Sequence, residues 1–254
     1  MPFQSTDKNH TLIIIPAFNE AATISDLITE LKATSSDWDI LVVNDGSTDN
    51  TSQIAKDTGI AEVIDLPYNL GIGGAVQTGF KYACYKNYSY AIQVDGDGQH
   101  TPKDVQKVLS LVYSGRADVG IGSRFNSKTE KDYGVHWLRK LGIWIFKILS
   151  IVLIRQHITD HTSGFRAYNK KALCFLAYNY PIDFPEPEVI ILLGKNGFRI
   201  EETFTQMQER QGGISSIPIS RGPYYMAKVI LGMIMASLRR AQIDNTRRDG
   251  AKHI

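Results

Sequence analysis

A chain of 254 residues, 43% hydrophobic and 21% charged, is long enough to bury a full core and sits at the upper end of what one domain holds. Its formal net charge of +2 gives no global reason to expect a nucleic-acid partner. The polar start MPFQSTDKNH lacks the regions of a signal peptide, and no uninterrupted apolar run reaches the roughly 18 to 20 residues of a membrane span. Cys84 and Cys174 stand in no metal-binding spacing and are too few for a disulfide framework, which fits a reducing compartment. A cytoplasmic protein is expected.

Residues 11–16 (TLIIIP) form a continuous apolar run, the pattern of a strand buried on both faces. A helix then opens at Asn19 and Glu20, with Ile24, Leu27, Ile28 and Leu31 at helical spacing. Residues 39–44 (DILVVN) read as a second buried strand, ending in the turn Asp45, Gly46, Ser47 before a helix capped by Thr48 or Asp49. A short strand at 61–66, a helix at 73–85 and a strand at 90–94 running into Asp95 follow. Thr101 and Pro102 begin another helix with a capping residue and Pro at its first position. The second half is less regular: a strand-like run at 119–122, a long apolar stretch at 135–154, a strand-like segment at 163–168, a helix around 186–195 and an apolar segment at 224–238.

Strands alternating with helices predict a mixed, mostly parallel sheet of Rossmann-like α/β class, with ligands bound beyond the carboxyl ends of the strands. Three polar motifs fall at that position: Pro16 to Glu20, Asn44 to Asp49, and Asp95 to His100. The last, Asp95-Gly96-Asp97-Gly98-Gln99-His100, places two carboxylates one residue apart on a turn. Such a pair converges on a hard cation, and oxygen ligands favour Mg²⁺ or Mn²⁺ over Zn²⁺. A calcium loop of the EF-hand kind would need Glu at its twelfth position, where this chain has Gln106. An acidic turn without a metal is the plainer reading of the motif alone.

Six segments carry a more specific signal: PAFNE (16–20), VVNDGSTDNT (42–51), NLGIGGAVQTGF (69–80), DGDGQH (95–100), GSRF (122–125) and SGFRAYN (163–169). In this order they resemble family 2 glycosyltransferases of the GT-A fold, most of all the dolichol- or polyprenyl-phosphate mannosyl- and glucosyltransferase branch. The likeness runs over about residues 11–215. It implies a donor site for a nucleotide-sugar at Pro16, Ala17, Glu20, Asp45, Ser47, Gly73 and Asp95, with Asp45 facing the base. It implies metal ligands Asp95, Asp97 and Gln99 for Mg²⁺ or Mn²⁺. It also implies that Arg124 and Arg139 hold the phosphate of a polyprenyl phosphate acceptor, and that Arg210 closes over the donor diphosphate. Where the family usually has Ser-Lys after its paired glycines, this chain has Ser215 and Ser216. Asp97, Arg124, Asp160 and Arg210 are the expected catalytic set.

The branch transfers a hexose with inversion, here with UDP-glucose favoured over GDP-mannose. An acceptor phosphate needs no strong base, whereas a hydroxyl of a saccharide or protein would need one, for which Asp160, Glu186 and Glu188 are candidates. Their plainer roles are an ion pair of Asp160 with Arg166 and helix-start acids at Glu186 and Glu188. A non-catalytic nucleotide-sugar-binding protein is the alternative from another class, against which the intact Asp95, Asp97 and Gln99 count. On a helical wheel of residues 135–154, His136, Arg139, Lys140, Lys147 and Ser150 share a sector of about 100° and nearly everything else is apolar. Such a helix suits a membrane interface with its basic groups towards headgroups, or else a core helix packed on two sides. The expected organisation is a glycosyltransferase domain over 1–215, followed by an amphipathic segment and basic tail over 216–254. The protein would then sit peripherally on the inner face of the cell membrane, with homo-oligomer packing as the competing use of the apolar segments.

Overall fold

The computed structural model describes residues 10–125, 137–181, 185–206 and 222–239. Its centre is β1 (Thr11–Ala17), buried at every position because both of its faces are covered. β1 is flanked in parallel by β2 (Trp38–Asn44) and β4 (Tyr90–Gln93), and β2 by β3 (Glu62–Asp65). On the other side β6 (Arg166–Asn169) runs antiparallel to β4 and to β5 (Val119–Ser123), and β7 (Ile200–Phe204) closes the sheet parallel to β5. The order is β3-β2-β1-β4-β6-β5-β7. The mostly parallel α/β sheet expected from the alternation is therefore present.

Reversal of β6 has a consequence for the rim. The parallel strands present their carboxyl ends on one edge of the sheet, and β6 begins at that edge. Residues 160–165 thus enter the same rim as the ends of β1, β2, β4 and β5.

Helices cover both faces. α1 (Ile24–Thr34), α2 (Thr51–Asp57) and α4 (Pro102–Tyr113) bury residues such as Ile28, Leu31 and Val108 against Ile13, Ile15, Val42 and Ile92. α3 (Gly71–Tyr85), α5 (Trp137–Ile154), α6 (Lys170–Asn179), α7 (Pro185–Lys195) and α8 (Gly222–Leu238) cover the opposite face around Leu12, Ile14, Phe80 and Tyr168. α4 starts as expected: Thr101 Oγ1 accepts the Asp104 N–H and Pro102 takes the first turn. α6 and β7 were not anticipated.

The two cysteines, too few for a disulfide framework, nevertheless pair with each other. α3 and α6 pack side by side, and Cys84 and Cys174 join them as a disulfide with Cα atoms 5.2 Å apart. A separation of 90 residues gave no hint of this pairing.

Among the described residues no helix is long and apolar enough to cross a membrane. α5 does have two unlike faces. Phe146, Ser150 and Ile154 are buried, whereas Trp144, Ile148, Ile151 and Val152 are exposed, Trp144 at 59% and Val152 at 69%. Of the polar sector read from the wheel, Ser150 is buried and Lys147 half-buried, the side chains of His136, Arg139 and Lys140 lying outside the described residues; the described outward positions are apolar. α8 touches α5 and likewise exposes Leu231, Met235 and Leu238.

Candidate active site

After β1 the chain turns through Asn19, whose backbone is left-handed (φ 58°), a conformation Asn tolerates better than most residues. This turn is stitched to the one after β2. Asn19 N–H donates to Ser47 Oγ at 3.0 Å and Thr48 N–H to Asn19 Oδ1 at 2.8 Å. Glu20 N–H donates to Thr51 Oγ1 at 2.9 Å and Ala21 N–H to Asp49 Oδ2 at 3.2 Å. Pro16 and Ala17 form the buried end of β1 beneath them.

Asp45 is buried, and its Oδ1 accepts the Leu70 N–H at 2.7 Å. Gly46 makes that approach possible. Its φ is +68°, and a Cβ there would lie 2.7 Å from Asn69 N and 2.8 Å from Tyr68 C. The Gly-rich segment is thereby drawn against the second motif, with Gly73 buried in the first turn of α3. The first amides of a helix lack intrahelical partners, and here Gly71 N–H donates to Asn69 Oδ1 at 2.9 Å.

The acidic turn follows β4 and meets the first motif. Thr23 Oγ1 donates to Gly96 O at 2.7 Å, and a Cβ on Gly96 would be 3.3 Å from Glu20 Cγ. Asp97 is buried, and its Oδ1 accepts the Gln99 N–H at 3.2 Å. Asp95 is more open, with 37% of its side chain exposed. Among the described residues no group of three or more His, Cys, Asp or Glu side chains could hold a metal. What the turn offers is two carboxylates and the Gln99 amide, a hard-oxygen set of the kind that shares a cation with substrate phosphates.

Arg124 follows β5 and is held by Asp160. Its Nε donates to Asp160 Oδ2 and its Nη2 to Asp160 Oδ1, each at 2.8 Å. Its backbone N–H reaches Oδ2 at 3.1 Å, and Nη2 also donates to Thr162 Oγ1 at 2.6 Å. Burial pushes the Asp160 carboxyl up, but hydrogen bonding and charge from Arg124 more than offset it, leaving the group below its ordinary value. The Arg166 partner considered from sequence is therefore replaced by Arg124; Arg166 Nη2 donates instead to His161 O at 3.1 Å. The pair rests on Glu202 of β7, which accepts the N–H groups of Thr159 and Asp160 at 2.8 Å. Sequence reading missed Glu202, Thr162 and Gln93; the alternating pattern of IEETF was the available signal for the first.

Glu186 and Glu188 lie in the first turn of α7. Burial raises the Glu186 carboxyl above its ordinary value. Arg139 falls on α5, but its side chain lies outside the described residues, as do all of Arg210 and residues 240–254 of the basic tail.

Residues 12–175 match the model of the family described as glycosyl transferase family 2. The chain belongs to that family. This family 2 glycosyltransferase is 34% identical over 198 residues to an uncharacterised protein of Methanocaldococcus jannaschii, covering 77% of this chain and 80% of that one. It is 29% identical over 246 residues to the polyprenol monophosphomannose synthase of Mycolicibacterium smegmatis, covering 91% and 90%. In fold it is similar to glucosyl-3-phosphoglycerate synthase from Mycobacterium tuberculosis, solved with Mn²⁺, uridine diphosphate and glucosyl-3-phosphoglycerate. That likeness has a TM-score of 0.66 at 17% identity, covering 91% of this chain and 81% of the other. The GT-A glycosyltransferase architecture and the polyprenyl-phosphate branch inferred from the motifs are both in keeping with these relatives.

Proposed function

We propose that this glycosyltransferase moves a hexosyl group from a nucleotide-sugar to a polyprenyl phosphate at a membrane surface, with inversion. The observation that carries the reading is the meeting of the Asp45 turn, the start of α3, the Asp95–Asp97 turn and the Arg124–Asp160 pair on one rim. Asp45 and the Gly73 region would hold the nucleotide, with Pro16, Ala17, Glu20 and Ser47 shaping the wall beside them. Asp95, Asp97 and Gln99 would hold Mg²⁺ or Mn²⁺, which supplies charge stabilisation to a departing nucleoside diphosphate when bound. Arg210 would cover the diphosphate.

On the acceptor side, two donor groups of Arg124 are committed to Asp160, while Nη1 takes no part in those bonds. Arg124 would then offer the acceptor phosphate one edge of a guanidinium already fixed in place, with Arg139 beside it. An acceptor phosphate is anionic near neutral pH and needs no base. Asp160 is poorly suited to be one, since it is engaged and held below its ordinary pKa. The outward apolar face of α5, which includes Trp144, suits insertion into the headgroup boundary. UDP-glucose is the favoured donor, with GDP-mannose as the competitor.

Incubation with labelled nucleotide-sugars, Mn²⁺ and undecaprenyl phosphate should transfer label to the organic phase on lipid extraction. Label confined to water-soluble saccharide would overturn the lipid acceptor and turn attention to Glu186 as a base. Vesicle flotation checks the surface. The wild-type chain should float with anionic liposomes, and a variant with Trp144→Ser, Ile148→Ser and Val152→Ser should lose at least about tenfold in partitioning, given the apolar area removed. Equal flotation of the two would dismiss α5 as the anchor.

A further inference from the structure

We infer that His100 and Gln93 are positioning residues that hold the two oxygens of Asp95 in the orientation a metal ion requires, and that Gly164 and Phe165 brace them. The inference rests on the reading of Asp95 as a metal ligand and extends it to side chains that the ligand set leaves out.

A carboxylate on an open turn is free to rotate about its last bond, so its aim must come from neighbours. Asp95 has one on each side. Gln93 Nε2 donates to Asp95 Oδ1 at 3.3 Å, and His100 Nε2 stands 3.9 Å from Asp95 Oδ2. The second distance exceeds a hydrogen bond, and closing it needs a shift of less than about 1 Å, of the kind expected when a site tightens on its ligand.

Both neighbours are themselves immobilised. Gln93 is buried in the sheet and faces Arg166 across the β4–β6 register. A Cβ on Gly164 would lie 2.8 Å from Gln93 Nε2 and 3.4 Å from Asp95 Oδ1, so a side chain there would displace the Gln93 amide from Asp95. The His100 ring is only 4% exposed and stacks on Phe165 with centroids 4.1 Å apart and planes 13° from parallel. Its Nδ1 is buried without a hydrogen-bond partner. Of the two ring nitrogens, Nε2 is the one with an acceptor nearby. The Gly164-Phe165 part of the SGFR motif is explained by this: one residue makes room and the other supplies a flat support.

The test is Mn²⁺ binding to the full chain by titration calorimetry, with and without uridine diphosphate, beside a thermal melt of each variant. H100F keeps the stack on Phe165 and removes Nε2. It should melt close to the wild type and bind Mn²⁺ about 10- to 100-fold more weakly, the usual cost of losing a group that orients a ligand. H100Q, whose amide can reach Oδ2, should recover part of the loss. Q93M, nearly isosteric and unable to donate, should weaken Mn²⁺ in the same range and serves if H100F fails to fold. Mn²⁺ affinity within twofold of wild type in a folded H100F or Q93M would overturn the inference. D95N separates the two levels. If it loses Mn²⁺ while H100F and Q93M do not, only the positioning role falls; if D95N binds normally, the ligand assignment falls with it.

Discussion

Asp97→Asn is expected to lower sugar transfer by about 10³-fold at saturating donor, a loss of ~4 kcal/mol of transition-state stabilisation. Asp97 is buried on the turn after β4 and uses Oδ1 to accept the Gln99 N–H at 3.2 Å. Asparagine keeps that acceptor and the shape of the side chain, so the turn should survive and the melting temperature should change by no more than about 2 °C, as for a substitution that leaves packing intact. What disappears is one of the two formal negative charges proposed to face the cation. The remaining Asp95 carboxylate and Gln99 amide would bind a divalent ion more weakly and place it less well against a diphosphate. Chelation should abolish wild-type transfer, and the residual transfer of the variant should respond little to added Mn²⁺. Metal-dependent turnover near the wild-type rate would remove Asp97 from the site. Asp97→Ala is the harsher companion, because it also leaves the Gln99 N–H without its acceptor.

The half of this site proposed to hold the donor was legible because its signals are local. Buried parallel strands such as TLIIIP and DILVVN read as apolar runs, and a polar turn after each must lie on the ligand-binding edge. The half proposed for the acceptor depends on contacts between distant segments. Arg124 and Asp160 are 36 residues apart and meet only because β6 runs backwards between β4 and β5. Sequence proximity pointed instead to Arg166, six residues from Asp160 on the strand that follows. Glu202 was hidden for the same reason: it acts 43 residues away on the backbone of Thr159. The wheel of residues 135–154 separates a polar from an apolar sector of α5, but periodicity carries no sign. Which face turns outward depends on what the rest of the chain presents, and here the protein body takes the Ser150 side. The disulfide between α3 and α6 was equally invisible, since two cysteines on separate helices say nothing of whether those helices adjoin.

Arg124→Ala should cost more stability than a rim substitution ordinarily does. Asp160 has no exposed side-chain area, and Arg124 is the cation that offsets its burial. Removing the guanidinium leaves a buried carboxylate with only backbone and hydroxyl donors, a change that costs about 3 kcal/mol in comparable pairs and would lower the melting temperature by about 6 to 12 °C in a chain of this size. Arg124→Lys should recover little, because an ammonium cannot reproduce two parallel bonds to one carboxylate. The double variant Arg124→Ala with Asp160→Asn should be more stable than Arg124→Ala alone, since the orphaned charge is gone, and yet remain inactive with a polyprenyl phosphate acceptor. Acid titration gives an independent reading. The Asp160 pKa is lower in the folded chain than in the unfolded one, so the carboxylate stabilises the fold above about pH 4, the ordinary carboxylate value, and that contribution disappears as pH falls through the folded value. The stability difference between wild type and Asp160→Asn should therefore shrink between pH 7 and pH 3 when followed by urea unfolding. A difference constant across that range would mean that Arg124 and Asp160 are not coupled through charge, and the fixed guanidinium proposed for the acceptor phosphate would lose its support.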